Sequence, residues 1–515
     1  MNWKLLRKQL GIIALLVAAA MLVSVPWAFP QFGQTSEIEA EGLWGLLSGI
    51  FISAIIGIIL AFSGKNAQGP IYRREALAVV GLGWILAGLL GAIPFYVSQT
   101  QRAPEIPMSV ADAIFESMSG LTTTGSSVLS DVEMPQMGKP AIPRCILFWR
   151  SFTHFLGGMG IVVLFVALLG HLGGAKLLFQ REVSGLARDT LQPRIAQTAR
   201  ILWIIYVGLN LGCFTLLKLS GMTVFDALCH AFGTLATGGF STRNSSIGAF
   251  ESPYIRTTII FFMILGGTNY TLFYLLWKQQ WTNVLRNREY QVYLFILLSC
   301  TLGIGSLLWH ATPDNQETDE PVLVRSLFQV ASIMTTTGYA TDDFNLWPAF
   351  PKAILILLMF VGGSVGSTGG GVKVLRWMLL ARILLLEVFH AFRPQVVRPL
   401  RLGHQVLDPE VRHDVVVYIA IVFLVFAGSW IFFLAIQPES LWDHAEQSEP
   451  LRDCATAVIA SINNIGPGLG VVGPTQTYGK FTDFGKIFLT VLMLLGRLEY
   501  FTLLVLFYPS FWKTH

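Results

Sequence analysis

The sequence predicts an all-α integral membrane protein: two N-terminal transmembrane helices plus four helix–pore loop–helix repeats around one central pore. Three observations predict this class: an apolar composition, ten apolar runs of membrane-spanning length, and four copies of a Thr- and Gly-rich turn. The expected units are an N-terminal two-helix segment at 1–70 and four repeats at 71–174, 175–280, 281–390 and 391–515.

The composition excludes most soluble classes. Of 515 residues, 53 % are hydrophobic and 13 % are charged, against about 25 % charged in a soluble globular domain. This excludes a soluble enzyme, a disordered scaffold and a disulfide-rich secreted module. The net charge of +4 is small and scattered, which argues against nucleic-acid binding. The five cysteines have no metal-site spacing and are expected to be packing residues.

The apolar runs set the number of crossings, because a membrane-spanning helix needs about 20 apolar residues. Lys4, Arg7 and Lys8 precede the first run as in a signal peptide, but its length and the missing cleavage site predict a retained helix. The ten runs are 9–29, 43–62, 75–98, 142–170, 199–219, 254–277, 290–310, 351–386, 411–436 and 483–511.

The distribution of charge predicts the orientation. With ten crossings, 22 of the 35 basic residues fall on the side of the N-terminus and 10 on the other side. Acidic residues show the opposite bias, with 22 of 31 on the far side. The excess of basic residues in cytoplasmic segments predicts cytoplasmic N- and C-termini, and the external acidic excess is expected to attract cations.

Four external segments share one pattern, in which an amphipathic stretch of ten to fifteen residues leads into a Thr- and Gly-rich turn. Repetition indicates one structural unit used four times, and each stretch is too short to span a membrane, so it is expected to be re-entrant. Ordinary external connections are the alternative. The segments are SMSGLTTTGSS (117–127), GTLATGGFS (233–241), ASIMTTTGYA (331–340) and SINNIGPGLG (461–470).

The composition of these turns suits a cation. Non-helical backbone at membrane depth must be buried or line a cavity, and glycine reaches the required dihedral angles at low cost. Four turns around one axis would present rings of carbonyl oxygens that replace the hydration shell of a monovalent cation. The helices before them would point their partly negative C-terminal ends at the same place.

Residues 362–371 interrupt the eighth run. Six of these ten residues are glycine, and each glycine in a helix costs about 1 kcal/mol relative to alanine. The segment is therefore expected to be an irregular loop that lines a cavity at membrane depth. A flexible linker between two shorter helices is the alternative.

A family resemblance rests on the four turns and on three further segments: GGSVGSTGGGVK (362–373), PRIAQTAR (193–200) and the tail GRLEYFTLLVLFYPSFW (496–512). With these motifs, almost the whole chain resembles the Trk/Ktr/HKT superfamily of potassium transporters. The resemblance implies a four-repeat pore, a homodimer and a cytoplasmic nucleotide-binding TrkA-like subunit. It also implies that 362–371 is a gating loop whose glycines are Gly362, Gly363, Gly366, Gly369, Gly370 and Gly371.

The resemblance places a potassium selectivity filter at the turns. Ser126, Phe240, Tyr339 and Pro467 follow the filter glycines, and this irregularity is expected to reduce discrimination between ions. The predicted potassium-binding residues are Thr123, Thr124, Gly125, Thr237, Gly238, Gly239, Thr336, Thr337, Gly338, Asn464, Ile465 and Gly466.

Arg497 lies within the last apolar run. An intramembrane arginine is costly and usually faces a pore or a partner, and in similar proteins the matching arginine is an electrostatic barrier in the ion path. We therefore hypothesise that Arg497 and the 362–371 loop close the pore together. The alternative is that Arg497 has a structural role and pairs with a buried carbonyl group or with Glu499. Glu499 follows by only two residues, so it is expected to lie on a different face of the helix.

Several other features are ambiguous or misleading. Asp342 and Asp343 follow the third turn, either to concentrate cations or as solvated loop acids, and His154 is expected to be packed. GLGVVG (468–473) lacks the βαβ context of a dinucleotide site, and GSTGGGVK (366–373) lacks the Gly-Lys-Ser/Thr of a P-loop. Nucleotide control is therefore expected through a partner that docks on the basic segments 176–200 and 373–412.

The resemblance implies potassium uptake across a bacterial cytoplasmic membrane, with potassium as substrate, no cofactor and no enzymatic activity. A proton- or sodium-coupled potassium symporter of the same fold is one alternative. A secondary carrier of an organic solute is another, but it predicts inverted repeats, whereas all four turns here are external. A receptor or scaffold is disfavoured by the four matched turns.

Overall fold

The computed structural model describes residues 1–29, 37–67, 69, 71–103, 105–133, 142–160, 195–311, 321–396, 398–402, 405–407, 409–442 and 449–513. These residues are mainly helical, which confirms the predicted helical membrane class. The strands are two short antiparallel pairs, β1 (Gln101–Ala103) with β2 (Ile106–Pro107) and β3 (Arg401–Leu402) with β4 (Gln405–Val406).

The helices follow in chain order. The first eight are α1 (Trp3–Leu22), α2 (Glu37–Ser63), α3 (Arg73–Val97), α4 (Val110–Leu121), α5 (Arg144–Gly158), α6 (Ile195–Leu219), α7 (Val224–Leu235) and α8 (Pro253–Gly266). The next six are α9 (Tyr270–Trp277), α10 (Trp281–Leu285), α11 (Arg288–Ala311), α12 (Val322–Met334), α13 (Ala349–Leu358) and α14 (Val374–Phe392). The last five are α15 (Pro409–Ile436), α16 (Pro450–Ile462), α17 (Asp483–Arg497), α18 (Phe501–Leu504) and α19 (Pro509–Trp512).

Six described helices are long and apolar enough to cross a membrane: α1, α2, α3, α6, α11 and α15. The predicted runs 254–277 and 483–511 are bent pairs instead, with angles of 95° between α8 and α9 and 115° between α17 and α18. Each of these runs was expected to be one crossing, and the bend within it was not predicted, because hydropathy measures composition and does not detect a bend. In run 142–170, α5 ends at Gly158, and residues 161–170 lie outside the described part.

Helices α4, α7, α12 and α16 precede the four turns. They have 12, 12, 13 and 13 residues, so at 1.5 Å per residue each is under 20 Å long and too short to span. The first two begin at capping residues: the hydroxyls of Ser109 and Thr223 accept hydrogen bonds from the amides of Asp112 and Asp226. Each of these short helices therefore ends inside the protein.

Residues 362–371, the glycine loop, fill the bend between α8 and α9. The bend frees the carbonyl oxygens of Gly266 and Gly267, which accept hydrogen bonds from the amides of Thr368 (3.2 Å) and Ser364 (2.8 Å). Buried carbonyl groups require such partners. The bent helix and the loop therefore form one unit.

The two ends of the described chain meet. The rings of Trp3 and Trp512 stack with their centroids 5.6 Å apart, and the guanidinium of Arg74 donates to the carbonyl oxygen of Lys513 at 3.3 Å. The first residues of α1 and the last helix thus lie at the same face of the molecule, together with the start of α3.

Candidate cation-binding site

The four turns share one backbone conformation. Each has two positions with positive φ, two residues apart: Thr123 and Gly125, Thr237 and Gly239, Thr336 and Gly338, Asn464 and Gly466. Between these positions, an amide donates back to the carbonyl five residues earlier in all four copies, at 2.8 or 2.9 Å. The glycines occupy a left-handed region that is costly for other residues. These features end all four re-entrant helices in the same manner.

The turns meet in a closed ring in chain order. A β-carbon added to Gly125 would strike the carbonyl oxygen of Gly238, and one on Gly239 would strike that of Thr337. The same relation joins Gly338 to Ile465, and Gly466 to Thr124 at 2.7 Å, which closes the circle. All four glycines line a single cavity. The structure therefore brings the twelve predicted binding residues together at one place.

Side-chain hydrogen bonds fix the backbone of this ring. The hydroxyls of Thr122 and Thr124 lie 2.7 Å apart, as do those of Thr335 and Thr337. In the fourth turn, Asn464 Nδ2 donates to Thr124 Oγ1 and to the carbonyl oxygen of Met493, both at 2.9 Å. The asparagine that breaks the Thr pattern therefore links the last turn to the first.

His154 supports the second turn, which lacks these hydroxyl pairs. Its Nδ1 donates to the carbonyl oxygen of Gly120 at 2.8 Å, and the amide of Phe240 donates to its Nε2 at 3.1 Å. A β-carbon on Gly238 would strike the imidazole ring. The expectation that His154 is packed is confirmed, and the structure adds that its packing links the first two turns.

A buried ion pair behind the ring was not foreseen. Arg150 Nε donates to Glu116 Oε1 at 2.6 Å, and both side chains are almost fully buried. Arg150 also donates to the carbonyl oxygen of Ser241 at 3.1 Å and stacks on the Phe240 ring, with its guanidinium carbon 3.4 Å from the centroid. The Glu116 carboxylate in turn accepts from the amide of Val128 at 2.9 Å. The pair thus joins the first and second turns outside the ring.

Residues 362–371 lie against the C-terminal ends of α7 and α12. The amide of Gly370 donates to Thr336 Oγ1 at 2.7 Å, and the hydroxyl of Thr368 donates to the carbonyl oxygen of Leu235 at 2.8 Å. The amide of Val365 donates to Glu289 Oε1 at 2.7 Å. The segment separates α13 from α14, as both interpretations expect, and many hydrogen bonds fix its position.

Two cationic side chains hold the loop. Lys373 Nζ donates to the carbonyl oxygens of Gly369 and of Gly370, the latter at 3.4 Å, and is buried. Arg497 donates from Nη1 to the carbonyl oxygen of Thr368 at 2.9 Å. Nothing in the sequence pattern marks Lys373 for this role.

Arg497 also reaches the other side of this region. Its Nη2 donates to the carbonyl oxygens of Gly157 and of Gly158, the latter at 3.2 Å, so it joins the loop to the end of α5. Arg497 is the last residue of α17, and after the bend Glu499 forms an ion pair with Arg376 at 2.6 Å. The picture of Arg497 and Glu499 on two faces of one continuous helix is therefore wrong, because the helix ends between them.

The remaining predicted features have clear positions. Asp342 accepts from Arg325 Nε at 3.1 Å and from Trp347 Nε1 at 2.9 Å, so it is not a simple solvated acid. Within GLGVVG, residues 470–472 form a 3₁₀ turn after the fourth ring segment. In the predicted docking segment 176–200, residues 176–194 lie outside the described part.

The fold and the ring define a multi-span α-helical membrane protein whose four turns line one cavity. The family description that matches the chain is "Cation transport protein", TrkH, over residues 45–307 and 317–514. The chain belongs to the TrkH family of cation transport proteins.

Individual relatives agree with this family. The Trk system potassium uptake protein TrkH of Salmonella typhimurium is 35 % identical over 518 residues, with 100 % of both chains covered. The Trk system potassium uptake protein TrkG of Escherichia coli K12 is 32 % identical over 456 residues, with 88 % of each chain covered. The crystal structure of the potassium transporter TrkH from Vibrio parahaemolyticus matches with a TM-score of 0.83 and 32 % identity, and each chain is covered completely.

Proposed function

We propose that this protein takes up potassium ions, which pass through the ring formed by the four turns. Carbonyl oxygens at a narrow ring can replace the hydration shell of a monovalent cation. The observation on which the proposal depends is the closed ring of contacts between neighbouring turns, which begins with Gly125 against Gly238 and ends with Gly466 against Thr124. The relatives named for potassium uptake cover the chain from end to end, which supports potassium as the ion.

The proposed ion ligands are backbone oxygens in the turns. The ends of four re-entrant helices point at this place, and their carbonyl groups contribute partial negative charge. An acid or a metal cluster is not needed, because dehydrated alkali ions are bound by several oxygen dipoles. Thr123, Thr237, Thr336 and Asn464 hold the positive-φ position that precedes each glycine by two residues.

The proposed gate consists of the 362–371 loop and Arg497. The loop binds the second turn's helix through Leu235 and the third turn through Thr336, and Arg497 connects it to α5. A guanidinium at membrane depth also repels a dehydrated cation. In this arrangement the loop and the arginine close the path together.

The proposed setting is a bacterial cytoplasmic membrane, with both termini in the cytoplasm. The stacking of Trp3 on Trp512 supports termini on one side, and the excess of basic residues supports the cytoplasmic side. The proposed assembly is a homodimer with a TrkA-like nucleotide-binding subunit, which docks on the basic segments 176–200 and 373–412. A partner is the natural source of nucleotide control for a chain with no recognisable nucleotide motif.

Growth of cells that lack their own potassium uptake systems tests the proposal. The wild-type chain should restore growth at low potassium, and purified protein in liposomes should admit potassium or rubidium in preference to sodium. Gly239→Ala should abolish this preference, because its β-carbon strikes the Thr337 carbonyl. Retained preference in this variant would show that the ring is not the filter.

Arg497→Gln tests the gate in the same liposomes. Loss of the guanidinium should raise the potassium flux, since both the tether to Thr368 and the positive charge disappear. Arg286→Gln, an exposed arginine after α10, is the matched control and should leave the flux unchanged. Equal fluxes for wild type and Arg497→Gln would remove the gate role. Flux in the absence of proton and sodium gradients separates simple conduction from coupled symport.

A further inference from the structure

The fourth turn differs from the other three at its glycine. The φ angles of Gly125, Gly239 and Gly338 are +78°, +81° and +80°, whereas that of Gly466 is +101°. The contact of Gly466 with its ring neighbour is also looser: its added β-carbon would lie 2.7 Å from the Thr124 carbonyl oxygen, farther than in the other three pairs. Both values show that the backbone of the fourth turn departs from fourfold symmetry at Gly466.

Two hydroxyl groups bond the carbonyl oxygen at this position. Tyr478 Oη donates to the carbonyl oxygen of Gly466 at 2.7 Å, and Ser126 Oγ donates to the same oxygen at 3.2 Å. Both donors are buried. Among the residues that the structure describes, none donates a hydrogen bond to the corresponding oxygens of Gly125, Gly239 and Gly338.

The number of lone pairs makes this difference important. A backbone carbonyl oxygen has two lone pairs, and two hydroxyl donors occupy both of them at Gly466. An oxygen that already accepts two hydrogen bonds has lost much of its capacity to bind a cation. The other three glycine carbonyls keep theirs.

We propose that Tyr478 and Ser126 are positioning residues that determine ion specificity, because their hydrogen bonds prevent the Gly466 carbonyl oxygen from binding the ion. The layer formed by the carbonyl oxygens of the four turn glycines then binds potassium through three oxygens instead of four. This inference rests on the proposed function. The consequence is weaker dehydration of the ion at this layer, and therefore weaker discrimination between potassium and sodium than a four-oxygen layer provides.

The position of Tyr478 explains how the hydroxyl is held in place. Its amide donates to the carbonyl oxygen of Ser127 at 2.8 Å, and its ring packs against Phe115 and Phe481, with centroids 5.4 and 5.8 Å away. The ring is thus fixed between α4 and the segment before α17. The hydroxyl is thus directed at the fourth turn, while the backbone of Tyr478 is held by the end of the first turn segment.

Tyr478→Phe and Ser126→Ala in the full-length protein test the proposal. Each change frees one lone pair of the Gly466 oxygen. Since one hydrogen bond corresponds to about a two- to tenfold change in an equilibrium constant, each variant should raise the potassium-to-sodium flux ratio in liposomes by about this factor. The KM for potassium should fall, and the double variant should exceed both single variants.

A buried tyrosine that bonds a helix carbonyl provides the matched control. Tyr293 donates to the carbonyl oxygen of Ile264 at 3.2 Å and is fully buried, so Tyr293→Phe should leave the flux ratio unchanged. If Tyr478→Phe does not fold, Ser126→Ala carries the test, because it removes the other hydrogen bond to the same Gly466 oxygen. The unfolding temperature in detergent, measured at increasing potassium concentrations, gives a second test. A variant that binds potassium more tightly should need a lower potassium concentration for the same rise in unfolding temperature.

The outcomes separate this inference from the proposed function. An unchanged or lower flux ratio and an unchanged potassium KM in both Tyr478→Phe and Ser126→Ala overturn the inference. In that case Gly239→Ala decides whether the ring is still the filter: lost preference retains the proposed function, whereas retained preference overturns it as well. A lower maximal flux at a constant ratio would mean that Tyr478 has only a structural role, and it also overturns the inference.

Discussion

The guanidinium of Arg497 donates to the carbonyl oxygen of Thr368 at 2.9 Å, so the end of α17 and the glycine loop are directly joined. The side chain of Thr368 binds elsewhere: its hydroxyl donates to the carbonyl oxygens of Leu235 at 2.8 Å and Gly266 at 3.0 Å. One threonine therefore connects the loop to Arg497, to the helix before the second turn and to the bend after α8.

Thr368→Val tests this connection, because it removes both hydroxyl contacts and retains the backbone oxygen that Arg497 binds. The single hydrogen of this hydroxyl, shared between the two carbonyl oxygens, contributes about 1 kcal/mol, so the proposed gate should be weakened and the flux into liposomes should rise about fivefold. Thr215→Val is the control, since its hydroxyl bonds Leu211 on an exposed helix surface. A flux equal to that of wild type, in a folded Thr368→Val protein, would contradict the assignment of the loop as the gate.

The four turns were predictable because their signal is local. Three turns are short runs of Thr and Gly after an amphipathic stretch, and the fourth has Asn463 and Asn464 in place of Thr. The backbone of Thr123–Gly125 nevertheless repeats at Asn464–Gly466. Four copies identified a pattern that one copy would not. The glycine at the second positive-φ position is common to all four turns, so the sequence alone indicated the place of the ring.

The supports of the ring were not predictable, because they depend on contacts between distant segments. His154 and Phe240 are 86 residues apart, and Arg497 and Thr368 are 129 apart. An apolar run around a histidine indicates burial but does not reveal its partner. The bends at Gly267 and Leu498 were missed for another reason: bending does not alter composition, so the hydropathy of the run stays that of a straight crossing.

Gly238→Ala should disrupt the second turn, since the added β-carbon would meet the His154 imidazole. We expect the potassium preference to fall and transport to decrease. Gly303→Ala is the matched control, because nothing lies within 4 Å of its added β-carbon and alanine is the better helix former by about 1 kcal/mol. His154→Ala in the Gly238→Ala background should restore part of the activity. Equal ion preference in Gly238→Ala and wild type would show that His154 does not position this turn.

Glu116→Gln should destabilise the protein strongly. It leaves the buried Arg150 guanidinium without its counter-charge, which costs about 3–5 kcal/mol, and it removes an acceptor from the Val128 amide. Thermal unfolding in detergent measures the effect. Glu387→Gln is the control, because Glu387 pairs with Arg412 at the surface, where an ion pair contributes about 1 kcal/mol or less. Similar unfolding temperatures for the two variants would contradict the structural role of the Arg150–Glu116 pair.

Asp342→Asn resolves the two interpretations of the acids after the third turn. Asp342 pairs with Arg325 on α12 and accepts from Trp347 Nε1 at 2.9 Å, so its charge is compensated and should attract few cations. We therefore expect the KM for potassium to stay within about twofold of wild type at low ionic strength, where unscreened attraction would be largest, while the unfolding temperature falls. Arg325→Gln combined with Asp342→Asn should recover part of that stability, because neither charge is then left alone. A large increase in KM, which disappears at high salt, would show instead that Asp342 concentrates cations at the ring.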